Sequence, residues 1–212
     1  MDPLLVLLLL TNMAALGVSS VVTLIRIAAL QGVILGVGML VVHPPDWHIA
    51  LTAAAAIGVK TFVIPALLLR AMRSVKIRHE VEPLVGFIPS LLLGAAGTAL
   101  AVVFSSRLPL VPEHAGSLVV PASLATALAG FLILTTRRKA ITQVVGYLIL
   151  ENGIFVFGML LLEAMPFMVE IGVLLDLFVG VFVMGIILNH IRREFDSLDT
   201  QHLVALKEEV WP

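Results

Sequence analysis

The chain has 212 residues, of which 60% are hydrophobic and 13% charged, about half the charged fraction of soluble domains. With a mean hydropathy of +1.11 this is the composition of an integral membrane protein. The formal charge of −1 carries little information because the charges are segregated by side, and no nucleic-acid partner is expected. There is no cysteine, which excludes disulfides, iron–sulfur clusters and thiolate metal sites within the chain.

Seven apolar runs follow one another at 3–24, 27–43, 48–70, 84–105, 117–136, 141–162 and 168–190. No strand alternation is present, so the expected fold is an all-α integral membrane protein of about seven transmembrane helices. The start, Met1-Asp2-Pro3 and then a Leu/Val run, lacks the basic segment of a signal peptide and reads as the first span. Taking alternate breaks as cytoplasmic collects Arg26, Arg70, Arg73, Lys76, Arg78, Arg137, Arg138, Lys139, Arg192, Arg193 and Lys207, eleven of the thirteen basic residues. Arg107 falls outside and Lys60 inside the bilayer. The expected orientation is therefore N-terminus outside and C-terminus cytoplasmic. Three parts result: five spans over 1–140, a hairpin over 141–191 and a cytoplasmic tail over 192–212.

Small residues at four-residue spacing, Gly32 and Gly36, then Ser90, Gly94 and Thr98, then Ala122, Thr126 and Gly130, mark packing seams. His43, Asp46 and His48 could share a metal, but the loop and its two prolines argue against one, and no metal or cofactor is expected. In the third run Lys60 lies near mid-depth, five residues before Pro65, which removes a backbone donor and opens the helix beside the ammonium. Lys60 reads as a station on a proton route or as the counter-ion of a buried acid. The plainer alternative is a lysine whose stem reaches an interface.

The sharpest signal lies in the last two runs. Tyr147 to Gly158 carries Glu151 in an apolar helix, followed by Asn152; Gly172 to Gly180 carries Asp176. If the chain turns near Pro166, at about 1.5 Å per residue Glu151 lies about 22 Å and Asp176 about 16 Å from the turn, both near mid-depth. An acid at that depth costs about 2.5–3.5 kcal/mol and is normally kept for a function. Two such carboxyls, close enough for water to bridge, suit a proton path, with Gly180 leaving room beside Asp176. Both acids could instead be structural, bonded to a partner helix. Glu170 near the outer face either lines an exit or is a solvated loop acid, and Glu163 reads as solvated. In the tail, Leu203, Leu206 and Val210 share a helical face that suits the bilayer or a cytoplasmic partner.

Leu150-Glu151-Asn152-Gly153, Val169-Glu170-Ile171-Gly172, Asp176 and the tail from Leu198-Asp199 to Ala205-Leu206-Lys207 resemble the membrane component E of hydrogenase-4, a subunit of formate-hydrogenlyase-type complexes. Upstream, Lys60 and Pro65 also look like that family. The last three helices resemble the small K subunit of respiratory complex I (NuoK) and the C subunit of Mrp-type sodium/proton antiporters. Glu151 and Asp176 fall at the two membrane glutamates of NuoK, with aspartate one methylene shorter at the second. The resemblance implies a multi-pass subunit of a prokaryotic cytoplasmic-membrane complex related to complex I. It further implies antiporter-like large subunits and a NuoH-like subunit as neighbours, and redox hydrogenase subunits on the cytoplasmic side. The chain itself would be non-catalytic, contributing Glu151, Asp176, Lys60 and Glu170 to a proton or sodium path, with Asn152, Gly180 and Pro65 beside them. An Mrp-like antiporter subunit and a purely structural membrane anchor are the alternatives.

Overall fold

The computed structural model describes residues 2–42, 54, 58–74, 81–109 and 117–161. Asp176, Glu170, Glu163, Gly180, the turn at Pro166, the tail and the His43–Asp46–His48 group lie outside the described residues.

The described residues are helical, with α1 over Asp2–Gly17, α2 over Val21–Val42, a π-helical segment over Gly58–Val63, and α3 over Ile64–Ser74. α4 follows over Phe87–Ser105, α5 over Val119–Thr136 and α6 over Ala140–Leu161. Four of them, α2, α4, α5 and α6, are long and apolar enough to cross a membrane, while α1, with 16 residues, is a shorter apolar helix. At about 1.5 Å per residue α1 is about 24 Å long.

The first break differs from the expectation drawn from charge. It falls at residues 18–20 rather than beside Arg26, which is exposed on the second turn of α2. The cause is local: α1 ends at Gly17, and Ser20 restarts the helix as an N-cap, its Oγ accepting from the Thr23 N–H at 3.4 Å. A single arginine on a long stem can lie inside a helix end and still reach water.

In the third run the backbone widens into a π-helical turn immediately before Pro65, which sits in the first turn of α3. Proline has no N–H to return to the preceding turn, and a π-turn ahead of it absorbs the missing bond.

The tightest contact is between α5 and α6. A Cβ on Gly130 would strike the Leu150 backbone, one on Gly153 the Ala127 backbone, and one on Gly146 would lie 2.6 Å from the Leu134 nitrogen. Only glycine permits this approach, which is how helices associate where lipid removes the hydrophobic drive. α4 packs on α1 and α5 with Gly94 against Leu16, and leaves Ile88, Leu92 and Leu100 exposed on its other face.

Three connections meet at one end of the bundle. The Val81 N–H donates to the Ser19 carbonyl at 2.7 Å, Leu84 to Thr136 at 2.8 Å and Arg138 to Glu82 at 3.0 Å. The turn between α1 and α2, the segment before α4 and the turn between α5 and α6 are thus tied together. These are the breaks whose basic residues were assigned to a common side.

Candidate functional site

The interior is layered. Towards the tied end, Leu16, Leu24, Ile25, Leu68, Ile133, Val145 and Ile149 form one apolar cluster. Towards the other end, Leu5, Leu8, Ile34, Met39, Val119, Phe155 and Val156 form a second. Between the two, four helices place buried polar residues: Thr11 and Asn12 on α1, Gln31 on α2, Ser123 and Thr126 on α5, Glu151 and Asn152 on α6. Glu151 lies eleven residues past Ala140, about 16 Å along α6 and so near the middle of a span of about 30 Å.

Lys60 enters this layer from the π-helical segment. Its Nζ lies 2.6 Å from Glu151 Oε1, with the lysine side chain 10% exposed and the glutamate 2%. It also donates to Asn152 Oδ1 at 3.4 Å and sits 5.4 Å from the centre of the Phe155 ring. Gly32 on α2 makes room for the lysine, because a Cβ there would come within 3.1 Å of the Lys60 Cβ. Lys60 also lines a narrow cavity with Ile25, Pro65, Leu148 and Asn152, of a volume at the lower limit for a single water.

From Asn152 a run of hydrogen bonds crosses the bundle. Asn152 Nδ2 donates to Gln31 Oε1 at 3.2 Å. Gln31 Nε2 donates to Asn12 Oδ1 at 2.9 Å and to Thr11 Oγ1 at 3.1 Å. Asn12 Nδ2 donates to Thr126 Oγ1 at 2.8 Å, and the threonine hydroxyl donates to the Ala122 carbonyl at 2.7 Å. Five polar side chains on four helices are thereby linked to the ion pair.

Of the residues singled out from sequence, the structure brings Lys60, Glu151, Asn152 and Pro65 together. Asp176, Glu170 and Gly180 lie outside the described residues. Asn12 and Gln31 were missed, although each interrupts an apolar run with a side chain that lipid cannot satisfy, and Thr126 was read only as part of a packing seam. Arg137 was counted only as a basic loop residue. It is 1% exposed, beyond the end of α5; its guanidinium donates to the Leu16 carbonyl at 2.9 Å and the Val85 carbonyl at 3.2 Å, and lies 5.2 Å from the Phe87 ring centre. Burial lowers its pKa from the ordinary arginine value. The Leu16 carbonyl is at the C-terminal end of α1, where a cation also meets the helix dipole favourably.

Apolar helices wrapped around a buried lysine–glutamate pair define a helical membrane protein with an ionisable interior. The chain belongs to the hydrogenase-4 component E family. It is 31% identical to hydrogenase-4 component E of Escherichia coli K12 over 157 residues, 73% of this chain and 72% of that one, and matches the Shigella flexneri protein to the same extent. It is also 32% identical over 190 residues to an uncharacterised protein of Mycobacterium tuberculosis, covering 87% of this chain and 86% of that one. No family model matches, and no solved structure matches significantly.

Proposed function

We propose that this chain is a multi-pass, non-catalytic subunit in the cytoplasmic-membrane arm of a hydrogenase-type complex related to complex I. In that role Lys60 and Glu151 form one station of a proton (or sodium) path driven by redox chemistry on other subunits, and Asp176 and Glu170 continue it. The observation that carries the reading is the Lys60–Glu151 pair, 2.6 Å apart at mid-depth. Ionisable groups at that depth are costly and are kept mainly for ion and proton traffic. Separating the ammonium from the carboxylate changes the proton affinity of Glu151. Lys60 stands on a π-helical turn next to Pro65, a place where a helix has fewer regular bonds to lose on moving. Movement of that segment therefore couples to proton uptake or release at Glu151. Membership of a hydrogenase complex is supported by the relatives named hydrogenase-4 component E. The ion path is also what the sequence resemblance of the last three helices to NuoK and to the Mrp C subunit implies.

The neighbours expected are antiporter-like large subunits, a NuoH-like subunit and redox subunits on the cytoplasmic side. Gentle solubilisation of a tagged chain tests the assignment. Co-purification of antiporter-like subunits with a nickel–iron protein is the expected result. Antiporter-like subunits without any redox chain would make it part of an Mrp-like antiporter instead.

A further inference from the structure

The hydrogen-bond run from Lys60 to α5 has a sense that its chemistry dictates. An ammonium can only donate, so Asn152 must turn its oxygen to Lys60 and its nitrogen away. That nitrogen meets the Gln31 oxygen, which leaves the Gln31 nitrogen to donate to Asn12 and Thr11. Asn12 then donates to Thr126, and the run ends on a backbone carbonyl of α5. Every donor points away from the cation. Bonds aligned in one sense polarise one another, and each side chain fixes the orientation of the next.

We propose that Gln31, locked by Asn12 and Thr11, is a positioning residue for the Lys60–Glu151 pair. It holds the Asn152 carbonyl towards the ammonium and so keeps a flexible lysine aimed at the carboxylate. This rests on the reading of Lys60 and Glu151 as part of an ion path. Lysine needs such help: its charge is a compact point on a four-carbon stem, without the planar fork that orients arginine. Gln31 and Asn12 are both 0% exposed, each in a predominantly apolar helix. If Gln31 could not accept from Asn152, the Asn152 amide would be free to turn, and its contact with Lys60 would be lost.

The test compares Gln31→Met, Asn12→Leu and the double variant Asn12→Leu/Gln31→Met with Lys60→Met, in the purified complex reconstituted into vesicles. Two quantities are read: the amount of assembled complex, and proton-gradient formation per assembled complex as a function of pH. The double variant guards against misfolding, because removing both partners of a buried bond destabilises less than orphaning one. The expected result is a loss of about tenfold per complex, comparable to losing a hydrogen bond to a charged group. The variants should also take on the pH profile of Lys60→Met, and Gln31→Met should add nothing to Lys60→Met. A structural role predicts less complex with the wild-type rate and pH profile per complex, and that outcome overturns the proposal. Glu151→Gln, run alongside, separates the two levels: if it abolishes the gradient while Gln31→Met does not, the ion path stands and the positioning role falls. If Glu151→Gln leaves the gradient intact, both fall.

Discussion

The Lys60–Glu151 contact makes a quantitative prediction about stability. Both side chains are nearly excluded from solvent, at 10% and 2% exposure, so solvent screening discounts little of their interaction. Removing one partner of a buried pair strands the other charge, at a cost of about 3–5 kcal/mol. Lys60→Met should therefore destabilise by about that amount, and Glu151→Gln should fall at the low end, since the amide still offers an oxygen to the ammonium. The double variant strands neither charge and should cost no more than one single variant, which implies a coupling energy of about 3 kcal/mol or more. The assay is a double-mutant cycle on unfolding of the protein purified in nanodiscs of fixed lipid composition, with proton-gradient formation measured for the same four variants as assembled complexes in closed vesicles. Losses that add to within about 0.5 kcal/mol would mean that the two residues act independently, and would refute the pairing.

Other consequences can be checked separately. Arg137→Leu orphans the Leu16 and Val85 carbonyls, at a cost of about 1–3 kcal/mol for each group left buried; Arg137→Lys should rescue only in part, because an ammonium lacks the fork that serves both, and full rescue in a thermal-unfolding assay would contradict this. Gly153→Val should abolish assembly by forcing α5 off α6, whereas Gly158→Ala, with no atom of the described residues within 4 Å of the new Cβ, should assemble normally; equal yields on native gels would contradict the seam. A thiol introduced by Ser74→Cys should resist a membrane-impermeant reagent in intact cells and one introduced by Gly116→Cys should react, if the basic run from Arg70 to Arg78 sets the orientation as its charge predicts. The reverse pattern would invert the orientation.

Much of the helical layout was legible because lipid-compatible runs are long and their ends are marked. α4, α5 and α6 begin and end within three residues of the runs at 84–105, 117–136 and 141–162. The α1–α2 turn was misplaced by several residues because Arg26 is a louder signal than two serines, although Ser20 caps the start of α2. Lys60 was legible as an oddity, and its partner was left open between Glu151 and Asp176. Sequence separation says nothing about which helices touch, and the contact with Glu151 spans 91 residues of chain. The amides at positions 12 and 31 escaped notice because scanning for charge passes over uncharged polar residues, although in an apolar interior they also need partners. Arg137 is informative in a similar way: a basic residue near a span end was read as a marker of sidedness, yet its guanidinium is spent on two backbone carbonyls, one buried and one half-buried.

The central claim concerns Glu151 and Asp176 as proton carriers, and it is tested most directly by proton-gradient formation per assembled complex in membrane vesicles. Glu151→Gln keeps shape and much of the hydrogen bonding but cannot release a proton. Compared per assembled complex, both Glu151→Gln and Asp176→Asn should keep redox turnover with soluble electron carriers and lose most of the gradient. Asp176→Glu should recover part of it, since the charge returns with one methylene more of reach. Wild-type gradients from both amide variants would contradict the ion path and leave this subunit as a structural anchor of the membrane arm.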